Sequence, residues 1–547
     1  MAPKGKSNEP SAQEREDEER TDTEDEAHDL TPVAGSSTGA GTSGSKKKRK
    51  RKKSKMSKAL NALSGKSEIP DELVNEVLDQ VKAEGGVPEE DLTVENIREA
   101  LKQLKIMDVV QGKAALGRLN KKDMGEHKFW GTQPVPQLGE GPPIDDGYIE
   151  PSKPVGEVRQ EPYPLPKDFE WSMVDMSDPK QCKEVYDLLS ANYVEDDQAS
   201  FRFQYSAEFL QWALMPPGYH KEWHIGVRVA ATKKLVAFIS GIPMTLRVRK
   251  NVIHVTEINY LCVHKRLRSK RLAPVLIKEV TRQTHLKGIF QAIYTAGVVV
   301  PTPISVCKYY HRSINVPKLV EIGFCYVPRS MTQARMIRIN AVPNSLSIPG
   351  IREMEEKDVL QVASLFTKYI KRFSMLPIFD VDEIKHQFLS GKGQGNVGDG
   401  GPGRRRGQVT WAYVVENPET HQISDFISFY SLPSTVIGDQ KHPILEAAYL
   451  YYYATDVAFD PKAEEEGHLK RRLEALVTDA LVVASGAKFD VFNALTLMDN
   501  VSFLKDLNFG LGDGNLNFYL YNWRTAPLAG AIPTDVPAGK GVGVVML

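Results

Sequence analysis

The segment from Val252 to Gly297 constrains this chain more than any other. Its first part, VIHVTEINYLCVH, is mostly apolar at both odd and even positions, as in a strand buried on two faces. KRLRSKRLAP follows, and then VLIKEVTRQTHLKG, where Leu272, Leu276 and Val280 fall four apart on one helix face. Pro274 suits a first helical turn. The expected order is strand, basic loop, helix N-terminus. N–H groups at a helix start carry partial positive charge, and Arg268, Lys270 and Arg271 add full charges. A pyrophosphate would fit there. The loop alone is equally well read as a basic solvated turn.

The surrounding pattern indicates an α/β (α+β) fold in two mixed series. The first runs from about Phe169 to Met336, with helices over DPKQCKEVYDLLSANY and SAEFLQWAL and strands over IGVRVA and KLVAFISG. The second starts near Ile351, with a helix over EKDVLQVASLFTKYIKRF and strands over WAYVVEN, ISDFISFYSL and AAYLYYYAT. Gly391–Gly407 is glycine-rich, but no GK[ST] follows it, which disfavours a phosphate loop. Nine prolines between Pro134 and Pro166 indicate an extended arm on the surface.

The first 65 residues read as a disordered tail, acidic over Glu14–Asp29 and polybasic over Lys46–Lys55. Such a basic block is a solvated tail, a nuclear localisation signal, or an electrostatic handle for RNA, the ribosome or an anionic membrane. Residues 66–110 read as a helical appendage. The 70 basic and 70 acidic residues cancel, so no whole-molecule field marks nucleic acid or membrane as the main partner. Neither a signal peptide nor a transmembrane run is expected, and four cysteines without a CxxC pair point to a reducing, cytoplasmic setting. No metal is expected.

Several tracts resemble the protein N-myristoyltransferase family, of the fungal eukaryotic type. Glu257-Ile258-Asn259-Tyr260-Leu261-Cys262-Val263-His264-Lys265 resembles its first signature, and Asn508-Phe509-Gly510-Leu511-Gly512-Asp513-Gly514 its second. His127-Lys128-Phe129-Trp130, followed by GTQPVP, is similar to its N-terminal acyl-CoA element. VEDDQASFRFQY, YTAGVVVPTPI, YYHRSINVPKL and AYLYYYAT are similar to further family segments, in the right order over residues 110 to 547. Two positions depart from the pattern. Tyr260 stands where Phe or Ser is usual, and Asn508 replaces a Lys.

The resemblance implies two acetyltransferase-superfamily-like halves with pseudo-twofold symmetry. Residues 111–336 would bind acyl-CoA and 337–547 would shape a peptide groove. It implies transfer of myristate from myristoyl-CoA, a co-substrate rather than a tightly bound cofactor, to the N-terminal glycine amine of peptides or nascent proteins. His127, Lys128, Phe129, Trp130, Leu261, Cys262, Val263, Arg268, Ser269, Lys270, Arg271, Leu272 and Ala273 are its expected acyl-CoA residues. The backbone N–H groups of Tyr260 and Leu261 would form the oxyanion hole, which requires a bulge in the strand. Asn259 and Thr295 would hold the amine. The Leu547 α-carboxylate would be the base, its low ordinary pKa raised by desolvation. Phe201, Phe203, Tyr205, Tyr309, His311 and Asp513 would line the peptide groove, although the aromatics fit a core equally well and Asp513 fits a glycine-rich turn. A monomer is expected, with ribosome association through Lys46–Lys55. Two alternatives are another acyltransferase of the superfamily and an RNA- or ribosome-binding adaptor. Cys262 as a covalent nucleophile is a minor reading.

Overall fold

Alternating and continuous apolar runs build one large mixed sheet that organises the fold. The computed structural model describes residues 127–141, 143–194, 200–530 and 541–547. The tail expected over 1–65, with Lys46–Lys55, and the appendage expected over 66–110 lie outside the described residues. In chain order the first strands are β1 Phe169–Met173, β2 Phe201–Phe203, β3 His224–Val229, β4 Leu235–Val248, β5 Asn251–Val263, β6 Gln291–Ala296 and β7 Ser305–Ser313. The second series is β8 Ile351–Glu353, β9 Met375–Pro377, β10 Thr410–Glu416, β11 Ile423–Ser431, β12 Ser434–Val436, β13 Ile444–Leu445, β14 Ala447–Thr455, β15 Val491–Leu495 and β16 Gly510–Tyr521. The principal helices are α1 Pro179–Asn192, α2 Ala207–Leu214, α3 Leu272–His285, α4 Val359–Ile370 and α5 His468–Gly486.

The main sheet has the order β1-β3-β4-β5-β6-β16-β7-β15-β14-β11-β10-β8, with β9 added beside β4. One unit occurs twice in it. In the first half β4 and β5 are antiparallel, α3 crosses over, and β6 returns parallel to β5. In the second half β11 and β14 are antiparallel, α5 crosses over, and β15 returns parallel to β14. A parallel return needs a long crossover, which a helix supplies while covering the sheet. The halves then exchange strands. β16 pairs with β6, and β7 pairs with β15, so each half completes the other's sheet. This repeat-and-exchange gives the pseudo-twofold arrangement.

α3 follows directly from its residues. Leu272, Leu276 and Val280 are all buried and pack with Ile225, Val227 and Ile239 of the sheet. Arg271 enters the helix with φ +53°, and Gly288 at φ +78° follows its C-terminal turn. The segment expected as a basic loop is a short 3-10 helix over Lys265–Lys270, capped by the His264 side chain. The proline-rich arm is anchored to the end of β16. The Asn522 side chain accepts from the N–H groups of Ile149 and Glu150, and the Asn522 backbone N–H donates to the Pro134 carbonyl. No described helix is long and apolar enough to cross a membrane.

Leu276 is fully buried between α3 and the sheet. Leu276→Ala is expected to cost roughly 2–5 kcal/mol, seen as a lower midpoint in chemical denaturation.

Candidate active site

The parallel pairing of β5 with β6 ends at Ile258 and Tyr294. Beyond it the two strands part, and their facing backbone edges find no partner in each other. On its other side β5 also loses register. Cys262 pairs with Phe238 and Asn259 with Ser240, leaving Tyr260 and Leu261 opposite Ile239 alone. Two residues against one is a β-bulge. Tyr260 takes φ +56°, a conformation a bulky residue avoids unless packing imposes it. Packing does so here. The Tyr260 ring meets Tyr205 edge-on at 5.2 Å and Tyr193 at 6.1 Å. The Tyr260 N–H bears on the Tyr193 phenol, where it works against the burial that pushes that hydroxyl's pKa up.

The gap between the parted strands opens into a cavity of about 730 Å³, counted out to the solvent at its mouth. α3 forms one wall with Ile277, Val280, Thr281 and Thr284. The two threonines present methyl groups, because their hydroxyls donate to the Ile277 and Thr281 carbonyls at 2.8 and 2.9 Å. At the end of α3, His285 packs against Phe290 at 4.4 Å, and burial lowers its pKa to about 4, leaving the ring neutral. The far wall is Trp130 stacked on Tyr294, with Tyr519 stacked behind, the centroids 5.6 and 5.0 Å apart. Walls of this kind accept a long apolar chain.

Asn259, Leu261, Thr295 and Leu547 meet at this cavity. The C-terminal segment reaches it as an ordered strap. The Ser374 N–H donates to the Gly541 carbonyl and the Gly543 N–H to the Met375 carbonyl. Met498 donates to Val542, and the Val545 N–H donates to the Tyr452 hydroxyl at 2.9 Å. A Cβ at Gly543 would lie 2.8 Å from Phe373, so only glycine lets the strap run this close. Glu257, which sequence reasoning did not single out, lies beneath it. Burial pushes its carboxyl up to about 7, against the Asn259 side chain and the Leu547 backbone N–H.

The other expected residues divide by place. Trp130 lines the cavity; Phe129 meets its ring edge-on, His127 is buried and Lys128 exposed. Cys262 and Val263 continue β5 into the core. Burial pushes the Cys262 thiol up to about 12, which argues against a nucleophilic thiolate. Arg268 turns inward, donating to the Asn192 carbonyl. Lys270 and Arg271 stay exposed, next to the buried Leu272 and Ala273 at the start of α3. The side chain of Ser269 lies outside the described residues.

Phe201, Phe203, Tyr205 and Tyr309 are buried in the principal core. None lines the cavity, but Tyr205 touches Tyr260 and Phe203 meets Tyr449 at 6.4 Å, so an aromatic layer adjoins the bulge. His311 bonds Asn493 at 2.7 Å and stacks parallel to Tyr309. Asp513 is exposed, and it sits not in a turn but in the bulged part of β16, beside Lys308 and His311. Asn508 has φ +60°, a conformation Asn tolerates better than the usual Lys.

The cavity's outer residues were legible in the signatures. Of its walls only Trp130 was named; the α3 wall was not, although Ile277, Thr281 and Thr284 recur at helical spacing and Glu257 is the lone acid in an apolar strand.

Residues 148–307 match the family model "Myristoyl-CoA:protein N-myristoyltransferase, N-terminal domain", and residues 321–545 match the corresponding C-terminal domain. A glycylpeptide N-tetradecanoyltransferase of Emericella nidulans is 51% identical over 460 residues, covering 82% of this chain and 89% of that protein. One from Mycosarcoma maydis is 46% identical over 538 residues, covering 86% of this chain and 76% of its own. The crystal structure of Saccharomyces cerevisiae N-myristoyltransferase with bound myristoyl-CoA superimposes with a TM-score of 0.72 at 47% identity, covering 77% of this chain and 99% of that one. With both family models in order along the same parted-strand fold, the chain belongs to the myristoyl-CoA:protein N-myristoyltransferase family.

Proposed function

We propose that this acyltransferase moves myristate from myristoyl-CoA to the α-amine of an N-terminal glycine by direct aminolysis of the thioester. The observation that carries this reading is the meeting of an apolar cavity, a bulged strand and the C-terminal strap at one point. The acyl chain occupies the cavity along α3. The thioester carbonyl sits at the bulge, where the Leu261 N–H and the Tyr260 N–H, turned from the Tyr193 phenol to the substrate, face the developing oxyanion. A preorganised donor of this kind is worth roughly 10²–10³ in rate. The basic residues Lys270 and Arg271, ahead of the α3 N-terminus, favour the coenzyme's phosphates.

The substrate amine enters as an ammonium, since its ordinary pKa is about 7.7–8.0. The Leu547 α-carboxylate takes one proton, and Asn259 and Thr295 orient the freed lone pair. Nitrogen attacks the carbonyl carbon, the tetrahedral intermediate collapses, and the C–S bond breaks. The second amine proton leaves with the sulfur as the free thiol. Glycine is required because a side chain on the attacking residue would meet the walls that close on the amine. The aromatic layer of Phe201, Phe203, Tyr205 and Tyr309, with His311 and Asp513, adjoins the bulge and serves as the peptide side of the site. The exposed Asp513 favours a basic residue in the peptide.

Transfer assays test this. Myristoyl-CoA with a Gly-initiated peptide should turn over, while acetyl-CoA or an Ala-initiated peptide should give little product. Equal rates would favour another acyltransferase activity. Extending the chain beyond Leu547 by a few residues should lower kcat by at least about 10², the scale of general-base catalysis. Leu547→Met should keep substantial activity, because the group that acts is the carboxylate. Normal turnover by the extended enzyme would remove the carboxylate from the mechanism.

Tyr260→Phe should leave turnover within about twofold and raise stability by about 1 kcal/mol. It deletes a buried hydroxyl that has no partner among the described residues and leaves the backbone N–H in place. Cys262→Ala should also keep turnover, measured at saturating substrates. Loss of turnover with retained acyl-CoA binding would point instead to an acyl-enzyme.

A further inference from the structure

Glu257 is an acid on a strand otherwise given over to apolar packing, and only 4% of its surface is exposed. Its ladder neighbours are Ile242 on β4 and Ile293 on β6. Two donors reach it. The Asn259 side-chain amide donates to Glu257 Oε1 at 2.7 Å, and the Leu547 backbone N–H comes from the strap. The titratable side chains facing it are Tyr260 on its own strand and Tyr451 and Tyr452 on β14, phenols whose pKa burial pushes further up, so all three stay neutral. The remaining titratable group is the α-carboxylate of Leu547, on the residue whose N–H reaches Glu257, and this second anion adds to the need for a cation. No lysine, arginine or histidine acts on this carboxylate among the described residues. A buried carboxylate without a cation is costly, and burial raises its pKa to about 7 in consequence.

Both of its donors belong to the place where an amine must arrive. Asn259 and Leu547 line the mouth of the acyl cavity, and each is tied to Glu257. The missing cation is thus supplied by a substrate rather than by the fold. We propose that Glu257 is a positioning residue that holds Asn259 and the end of the strap in register, and that its carboxylate is the buried counter-charge for the substrate's α-ammonium. This rests on the reading of the site given above, and it deepens that reading by assigning the charge that selects an amine over a neutral group. Glu257 acts through Asn259 and Leu547 and takes no part in the bond-making step. Arrival of the ammonium favours the ionised carboxylate, so binding releases a proton from the fraction of Glu257 that was protonated.

The test compares two ligands on the full chain loaded with a non-hydrolysable thioether analogue of myristoyl-CoA. One is a Gly-initiated peptide. The other is the same peptide with its α-amine replaced by hydroxyl. The wild-type protein should bind the amine at least about tenfold more tightly, the scale of a buried charge pair. In Glu257→Gln this preference should shrink to about twofold or less, while affinity for the hydroxyl peptide and the thioether analogue stays within about twofold. In turnover the same variant should raise KM for the peptide more than it lowers kcat. Glu257→Asp, which keeps the charge one methylene back, should restore part of the preference, and it decides the matter if Glu257→Gln does not fold. An amine preference equal to wild type in Glu257→Gln, or no amine preference at all in Glu257→Asp, overturns the proposal. So does a collapse of kcat at unchanged KM, which would place Glu257 in proton transfer. Because the comparison reads binding without turnover, it stands apart from the chain-extension assay. The Leu547 carboxylate can fail as the base while Glu257 still selects the amine, and the reverse outcome is equally visible.

Discussion

The site depends on one constraint, the separation of β5 from β6 after Ile258 and Tyr294. A sheet that stayed closed there would pair its backbone groups internally and leave no room between α3 and the strands. Once the strands part, an apolar cavity forms, strand backbone is freed, and a path opens for the C-terminal strap. The bulge at Tyr260 and Leu261 belongs to the same break. Its strained φ is maintained by the Tyr193–Tyr205–Tyr260 cluster, so the aromatic layer beside the site also acts as its scaffold.

The exchange of strands between halves explains how an opening of this kind is tolerated. β16 covers the far edge of β6, and β7 joins it to the second half. The Trp130–Tyr294–Tyr519 stack draws on an N-terminal element, β6 and β16 together. The strap from Gly541 to Leu547 is fixed by β9, Met498 and Tyr452, all in the second half, yet it ends at the opening in the first. A single half could not build this site.

Much of the fold was readable in the sequence because its signals are local. The α3 face of Leu272, Leu276 and Val280, the β5 run and the AYLYYYAT strand each carry their own periodicity. The bulge was expected only as a chemical need, since no residue pattern marks where a strand slips register. Asp513 was read as a turn from its glycines, but β7 pairs on both sides of it, at Gly510–Leu511 and from Asn515 on, and so recruits that stretch into a strand. Glu257 was passed over for a related reason. Its burial, and the absence of a cation beside it, arise from β14 and the strap, hundreds of residues away or nearly so in sequence. Asn259, Leu261, Thr295 and Leu547 were named from family resemblance, and their meeting at one cavity is a tertiary fact.

In the proposed mechanism the thioester carbonyl lies at the bulge, with the terminal carboxylate beside the incoming amine. The most direct measurement is a crystal structure of this chain with a thioether analogue of myristoyl-CoA and a Gly-initiated peptide. The expected result places the acyl chain along Ile277, Thr281 and Thr284. The carbonyl oxygen, or its replacement, should then lie about 3 Å from the N–H groups of Tyr260 and Leu261. The peptide nitrogen should lie within hydrogen-bond reach of Asn259, Thr295 and the Leu547 carboxylate. An acyl chain outside this cavity, or a carbonyl turned away from the bulge, would contradict the account.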